Sequence, residues 1–199
     1  MRRLPIVILP AALVLALILG TYLWRAADRL PQGGIVSTGT AQVGGPFTLV
    51  DQFGHKRKSS EFAGRYMLIY FGYTYCPDVC PTTLALMDDA WKRLGPDARR
   101  VVPIFITVDP ERDTPAKLKE YLAAIAPGFI GLTGDAKSVH AVTDAYNVVA
   151  TKQPLPGGTY GFNHSSAIYL MGPDGKFVAF WDDTAIGPDG LAKALRAHL

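Results

Sequence analysis

Six consecutive apolar or aromatic residues, Tyr-Met-Leu-Ile-Tyr-Phe at 66–71, have the pattern of a strand buried on both faces. Leu84, Met87, Trp91 and Leu94 then recur at helical spacing until Gly95-Pro96 breaks the period, which predicts a helix directly after that strand. Residues 101–108 form a second buried run. Thr114-Pro115 supplies a cap and a first-turn proline for a helix with Leu118, Tyr121, Leu122 and Ile125 on one face. Residues 129–132 read as a short strand, and Asp135 caps a helix carrying Val139, Val142 and Tyr146. Residues 148–152 read as a strand pairing at an edge. Two hairpins bracket this alternation, one turning at Asp51-Gln52-Phe53-Gly54 and one at Pro173-Asp174-Gly175, and a last helix spans 188–198.

This order predicts an α/β fold with parallel central strands and an antiparallel edge, the arrangement of a thioredoxin-like domain. In open α/β sheets chemistry gathers at the carboxyl ends of strands, which directs attention to the segments after Phe71 and after Val108.

A different pattern precedes the domain. Residues 4–24 are uncharged and mostly apolar, and at 1.5 Å per residue a helix of that length just spans a hydrocarbon core of about 30 Å. Pro5 and Pro10 fall in its first turns, where a lost amide bond costs least. Arg25-Ala26-Ala27 lacks the small-x-small cleavage pattern, so an uncleaved anchor is expected. Arg2 and Arg3 with the terminal amine, against Arg25 and Arg29 offset by Asp28, place the N-terminus in the cytoplasm. The expected organisation is a membrane anchor at 1–25, a flexible linker at 26–45 and the thioredoxin-like domain at 46–199. In a bacterium this is a single-pass inner-membrane protein with its domain in the periplasm, and the absence of an Arg- and Ser-rich leader ahead of the span argues against a mitochondrial precursor.

Composition narrows the function. The chain has 199 residues, 49% of them hydrophobic, which fits one globular domain and excludes disorder. Its net charge of +3 resides in the first 29 residues; from Leu30 onward cations and anions balance, so no nucleic-acid surface is implied. Two cysteines exclude both a disulfide-stapled mini-protein and a four-thiolate zinc site.

Those cysteines, in Cys76-Pro77-Asp78-Val79-Cys80-Pro81, lie where the first buried strand hands over to its helix. The positive end of a helix dipole favours thiolate over thiol, making sulfur both a nucleophile and a metal ligand. At i and i+4 the side chains are neighbours, able to close a disulfide or hold one soft cation. A purely structural bridge across so short a loop removes little unfolded-state entropy, so a functional pair is the stronger reading. Thiol-disulfide exchange generally uses a two-residue spacer; the third residue leaves room for a metal. In Gly157-Gly158-Thr159-Tyr160-Gly161-Phe162-Asn163-His164-Ser165, read as a Gly-rich loop, His164 is a candidate third ligand, against the plainer reading of a solvated loop histidine. His55, His140 and His198 need only surface roles.

Three blocks taken together resemble the Sco/SenC family of membrane-anchored copper proteins used in cytochrome c oxidase assembly. They are Tyr70-Phe71-Gly72 running into the cysteine motif, Val108-Asp109-Pro110-Glu111-Arg112-Asp113-Thr114-Pro115, and Asn163-His164-Ser165 followed by Ile168-Tyr169-Leu170 and Gly172-Pro173-Asp174-Gly175. The resemblance runs from about Gly45 to the C-terminus. It implies that Cys76, Cys80 and His164 are copper ligands, that Cys76 and Cys80 also form a redox-active disulfide, and that Asp78, Asp109 and Asn163 lie beside the ligands. It further implies delivery of copper to the CuA site on subunit II of cytochrome c oxidase, with other periplasmic copper chaperones or thiol reductants as further partners. Asn163 stands where the family often has Asp, and Tyr75 where His or Phe is common. Asp109 has a purely structural alternative, because Asp113-Thr114-Pro115 is an ordinary helix start and Arg112 can pair with Asp109 or Glu111.

Two thiolates and an imidazole suit Cu(I) and tolerate Cu(II) through the nitrogen, whereas a closed zinc site needs a fourth ligand. Two other readings stand beside the copper chaperone: a thiol-disulfide oxidoreductase that reduces the cysteines of the oxidase copper site, and a peroxiredoxin-like peroxidase. The latter is opposed by the position of Thr74, two residues rather than three before Cys76.

Overall fold

The structure, a computed structural model, describes residues 15–22, 43–183 and 185–199. The chain divides into two compact units, residues 1–32 and 33–199. In the first, residues 15–22 are helical, with Leu15, Leu17, Ile18, Leu19 and Tyr22 exposed. Among the described residues no helix is long and apolar enough to cross a membrane, and most of the expected 4–24 span and of the 26–45 linker lies outside them.

The second unit carries nine strands and four α-helices among its described residues: β1 (Thr48–Asp51), β2 (Lys56–Lys58), β3 (Tyr66–Gly72), α1 (Val79–Arg93), β4 (Val101–Thr107), α2 (Pro115–Ile125), β5 (Ile130–Thr133), α3 (Ala136–Ala145), β6 (Ala150–Pro154), β7 (Tyr160–His164), β8 (Ala167–Met171), β9 (Phe177–Asp182) and α4 (Pro188–Arg196). Seven strands form one sheet in the order β2-β1-β5-β4-β3-β8-β9. β3, β4 and β5 run parallel, while β1 and β8 join them antiparallel, as the element order predicts.

β3 is the spine of the core: Met67 through Gly72 are all buried. Its side chains alternate between faces. Phe71 packs on Tyr146, at the end of α3, and on Tyr169, with ring centroids 5.3 and 5.8 Å away. Tyr70 and Gly72 face the other way, toward α1, which packs against α4. The predicted caps form. Thr114 Oγ1 accepts from the Lys117 amide and Asp135 Oδ1 from the Ser138 amide, so each helix begins where a side chain satisfies an orphan N–H.

Two expectations are corrected. Residues 150–154 do not pair at an edge of the main sheet, and residues 160–164 are not loop: β6 and β7 form a separate two-stranded antiparallel ribbon, turning at Gly157 and Gly158, whose φ angles are +83° and +75°. Glycine occupies that left-handed region without a Cβ penalty, so the pair makes a tight turn rather than an open loop.

Candidate metal centre

The handover from β3 to α1 builds the cysteine half of the site. Asp78 is the residue preceding α1, but its carboxylate makes no cap hydrogen bond. The Cys76 sulfur takes that place, accepting from the Cys80 amide at 3.4 Å. A sulfur at a helix start is held among N–H donors, where negative charge is favoured. Cys76 is half-buried and Cys80 fully buried, and both are free thiols. The Cys76 thiol is lowered to about 4: the Cys80 thiol donates to it first of all, and backbone amides at the helix start add to the effect against the cost of burial. Cys80 is pushed up, first because its proton is the one shared with Cys76 and second because it is buried. The metal-free pair is therefore one thiolate and one thiol.

His164 ends β7 and closes the cluster from the opposite side. Its Nε2 lies 3.5 Å from the Cys80 sulfur, while its Nδ1 lies 3.0 Å from the Ser165 carbonyl oxygen. A carbonyl can only accept, so this contact puts the proton on Nδ1 and leaves the Nε2 lone pair toward the sulfurs. The ligand atoms of Cys76, Cys80 and His164 all lie within 4.8 Å of one another. Tyr70 and Tyr73 meet the imidazole edge-on, with centroids 6.4 and 5.8 Å away.

The other expected site residues have these surroundings. Asp78 is exposed, directly before α1, and its carbonyl accepts from the Thr82 amide at 3.3 Å. Asn163 is exposed, and as the strand neighbour of His164 it projects from the opposite face of the ribbon, away from the donor atoms. Asp109 is buried but is engaged elsewhere, paired with Arg112 and accepting from the Tyr160 hydroxyl at 3.1 Å.

Further residues shape the site in ways the sequence motifs do not assign to them. Asp113, fully buried, accepts from the Thr74 amide at 3.0 Å, the Thr74 hydroxyl at 2.6 Å and the Thr107 hydroxyl at 2.6 Å, tying the cysteine loop to the end of β4. Burial raises its pKa against these hydrogen bonds. The Tyr70 hydroxyl lies 3.4 Å from Asp183 Oδ2, which also accepts from Thr83 at 2.6 Å and from Ser166. Gly72 makes room for Cys80, since a Cβ there would lie 2.8 Å from its sulfur. A usable clue was present: hydroxyls inside otherwise apolar strands, Tyr70 and Thr107, need buried partners.

The sequence profile of the SCO1/SenC family matches residues 36–199, more than four fifths of the chain. The chain belongs to the SCO1/SenC family. The Arabidopsis thaliana protein SCO1 homolog 1, mitochondrial, is 37% identical over 169 residues, covering 81% of this chain and 50% of that protein, so the chain spans half the length of this relative. The structure of Bradyrhizobium japonicum ScoI with copper bound superposes with a TM-score of 0.73 at 43% identity, covering 79% of this chain and 99% of the other. BsSco, described as a member of the Sco family of cytochrome c oxidase assembly proteins with a disulfide switch, superposes with a TM-score of 0.65 at 26% identity, covering 82% of this chain and 94% of the other. These matches bear out the α/β, thioredoxin-type architecture and the Sco/SenC resemblance.

Proposed function

We propose that this chain is a membrane-tethered copper metallochaperone that holds copper on Cys76, Cys80 and His164 and passes it to the CuA site on subunit II of cytochrome c oxidase. The observation that carries this reading is the convergence of two sulfurs and one imidazole, whose ligand atoms all lie within 4.8 Å of one another. Three soft or borderline donors suit Cu(I), and the nitrogen also accommodates Cu(II). The half-exposed Cys76 offers the side from which an incoming ligand of a partner can displace the donors one at a time, so no covalent bond of the cargo has to break. The copper carried by the Bradyrhizobium relative and the assembly role given for BsSco support the same reading.

Oxidation of the Cys76 thiolate and the Cys80 thiol to a disulfide gives up two electrons and the one shared proton to an external disulfide, which leaves as a thiol and a thiolate, or to another thiol oxidant, and withdraws both sulfur ligands. Loading then depends on a reduced pair. The anchor at 1–25, the linker at 26–45 and the domain at 46–199 would put this chemistry on the periplasmic side of a bacterial inner membrane. The apolar run at 4–24 supports this organisation.

Anaerobic titration of the reduced full chain with Cu(I) tests the reading. One equivalent is expected for the parent chain and weaker retention for Cys76→Ser and His164→Ala; no uptake, or uptake indifferent to both substitutions, overturns it. Release of the chain from membranes by high salt alone would remove the tether.

One observation favours a second reading. A half-buried thiolate beside a buried thiol is the arrangement of an attacking and a resolving cysteine, as a reductase of the oxidase copper-site cysteines needs. Rapid reduction of a disulfide substrate by the metal-free chain, unchanged in His164→Ala, would favour it.

A further inference from the structure

The ribbon that carries His164 shares no strand pairing with the main sheet. Its station against the cysteines is set at one end by the two-residue link from His164 to β8, where the Asp183 amide donates to the Ser166 carbonyl at 3.4 Å, and along its length by side chains, several of which meet at one residue. Arg112, in the loop after β4, pairs with buried Asp109 and donates from Nη1 to the Tyr160 carbonyl on β7 at 2.9 Å. Its guanidinium lies 3.7 Å from the ring centroid of Tyr160 on the ribbon and 4.5 Å from that of Tyr75, next to Cys76. One cation thus touches both halves of the site. Further attachments include the Tyr160 hydroxyl, which donates to Asp109 at 3.1 Å, the ring contacts of Tyr73 with Phe162 and His164 at 5.5 and 5.8 Å, and Lys152, which sits over Tyr160 and pairs with Glu111 at 2.8 Å.

We propose that Arg112 is a latch: it fixes the His164 ribbon against the cysteine loop, and its release lets the imidazole withdraw while both sulfurs stay in place. This makes Arg112 a positioning residue for the third ligand, acting through Tyr160 and Tyr75, and separates the nitrogen ligand from the sulfur ligands as an independently movable part. The consequence for copper rests on the copper-binding reading; the mechanical part does not. The latch has the right physical character for a reversible clasp. A planar guanidinium stacks between rings and bonds a carbonyl in fixed directions, which an ammonium cannot reproduce. Asp109 pairs with that cation and holds it in place, which gives its burial a role without assigning it to the metal.

Amide hydrogen exchange on the metal-free, reduced full chain in detergent decides the mechanical part. Arg112→Lys keeps a positive charge beside Asp109, and Tyr160→Leu removes the ring from the ribbon side without leaving a buried charge unpaired. Both are expected to speed exchange across residues 150–164 about tenfold while β3 and β4 keep the parent rates. Parent rates in the ribbon for both variants, or equal acceleration in β3 and β4, overturn the latch. With Cu(I) bound, removal by a competing chelator is expected to be about tenfold faster in Arg112→Lys, and no faster in Arg112→Lys/His164→Ala than in His164→Ala. Equal acceleration in both backgrounds contradicts action through His164. A parent chain that retains no Cu(I) refutes the copper reading and the copper half of this proposal together, while the exchange result still decides the latch.

Discussion

Gly72→Ala tests how tightly the fold and the site are coupled. A Cβ at position 72 would lie 2.8 Å from the Cys80 sulfur, 3.0 Å from Phe105 and 3.3 Å from Tyr70, all on fully buried side chains. Non-bonded heavy atoms settle at about 3.5–4.0 Å, so the sulfur has to retreat by roughly 1 Å or the strand has to shift. Overpacking of this kind costs about 1–3 kcal/mol, which for a domain of this size lowers Tm by about 2–12 °C. A metal site tolerates ligand displacements of only about 0.2 Å, so retention of Cu(I) should fall by about 10–100-fold, the range for disturbed support of a metal ligand. Thermal unfolding by circular dichroism gives the first quantity, and Cu(I) competition with a chromophoric chelator the second. Gly187→Ala is the control, since a Cβ there meets nothing within 4 Å. If Gly72→Ala is as stable and binds as tightly as the control, the close approach of strand and sulfur does not govern the site.

Alkylation of the metal-free, reduced chain by iodoacetamide should stay nearly constant at Cys76 from pH 8 down to pH 6, because its thiol is lowered to about 4; an ordinary thiol near about 8.5 slows about tenfold per unit over the same interval. A rate that falls tenfold per unit would contradict the shared-proton pair. Asp113→Ala strands one buried donor on Thr107 and two part-buried donors on Thr74, and at about 1–3 kcal/mol for each buried group left unsatisfied the loss should be at least about 2 kcal/mol in a urea titration; Asp113→Asn, which retains an acceptor, should lose less. The sign of the pH effect follows from the raised folded pKa of Asp113: the parent loses stability as pH climbs from its unfolded value, 3.8, through the folded one, and Asp113→Asn lacks that loss. Parallel stability curves for the two proteins between pH 3 and pH 7 would refute it.

The parts of the fold legible in the sequence were those with local causes. Thr114 and Asp135 cap helices through amides three residues away, and the all-apolar runs of β3 and β4 follow from burial on both faces. The ribbon was illegible as a ribbon because Gly157 and Gly158 signal a turn only once the flanking strands are known, and β6, mostly exposed, shows no hydrophobic alternation. The three donors were legible as residue types. What places the third is a set of contacts between distant segments, such as Arg112 to the Tyr160 carbonyl, that no periodicity records. Asp113 is the instructive case: its local position, just before a capped helix start, accounts for it fully in sequence, yet its carboxylate spends its hydrogen bonds on Thr74 and Thr107. Asn163 is the converse, adjacent to His164 in sequence and on the other face in space.

X-ray absorption at the copper edge, on the reduced full chain loaded anaerobically with one equivalent of Cu(I), tests the central assignment most directly. The spectrum should require two sulfur scatterers and one imidazole nitrogen around copper, with the imidazole lost in His164→Ala and the sulfur count halved in Cys76→Ser. A parent spectrum with sulfur alone, or one that His164→Ala leaves unchanged, would contradict the claim that these three side chains hold copper together.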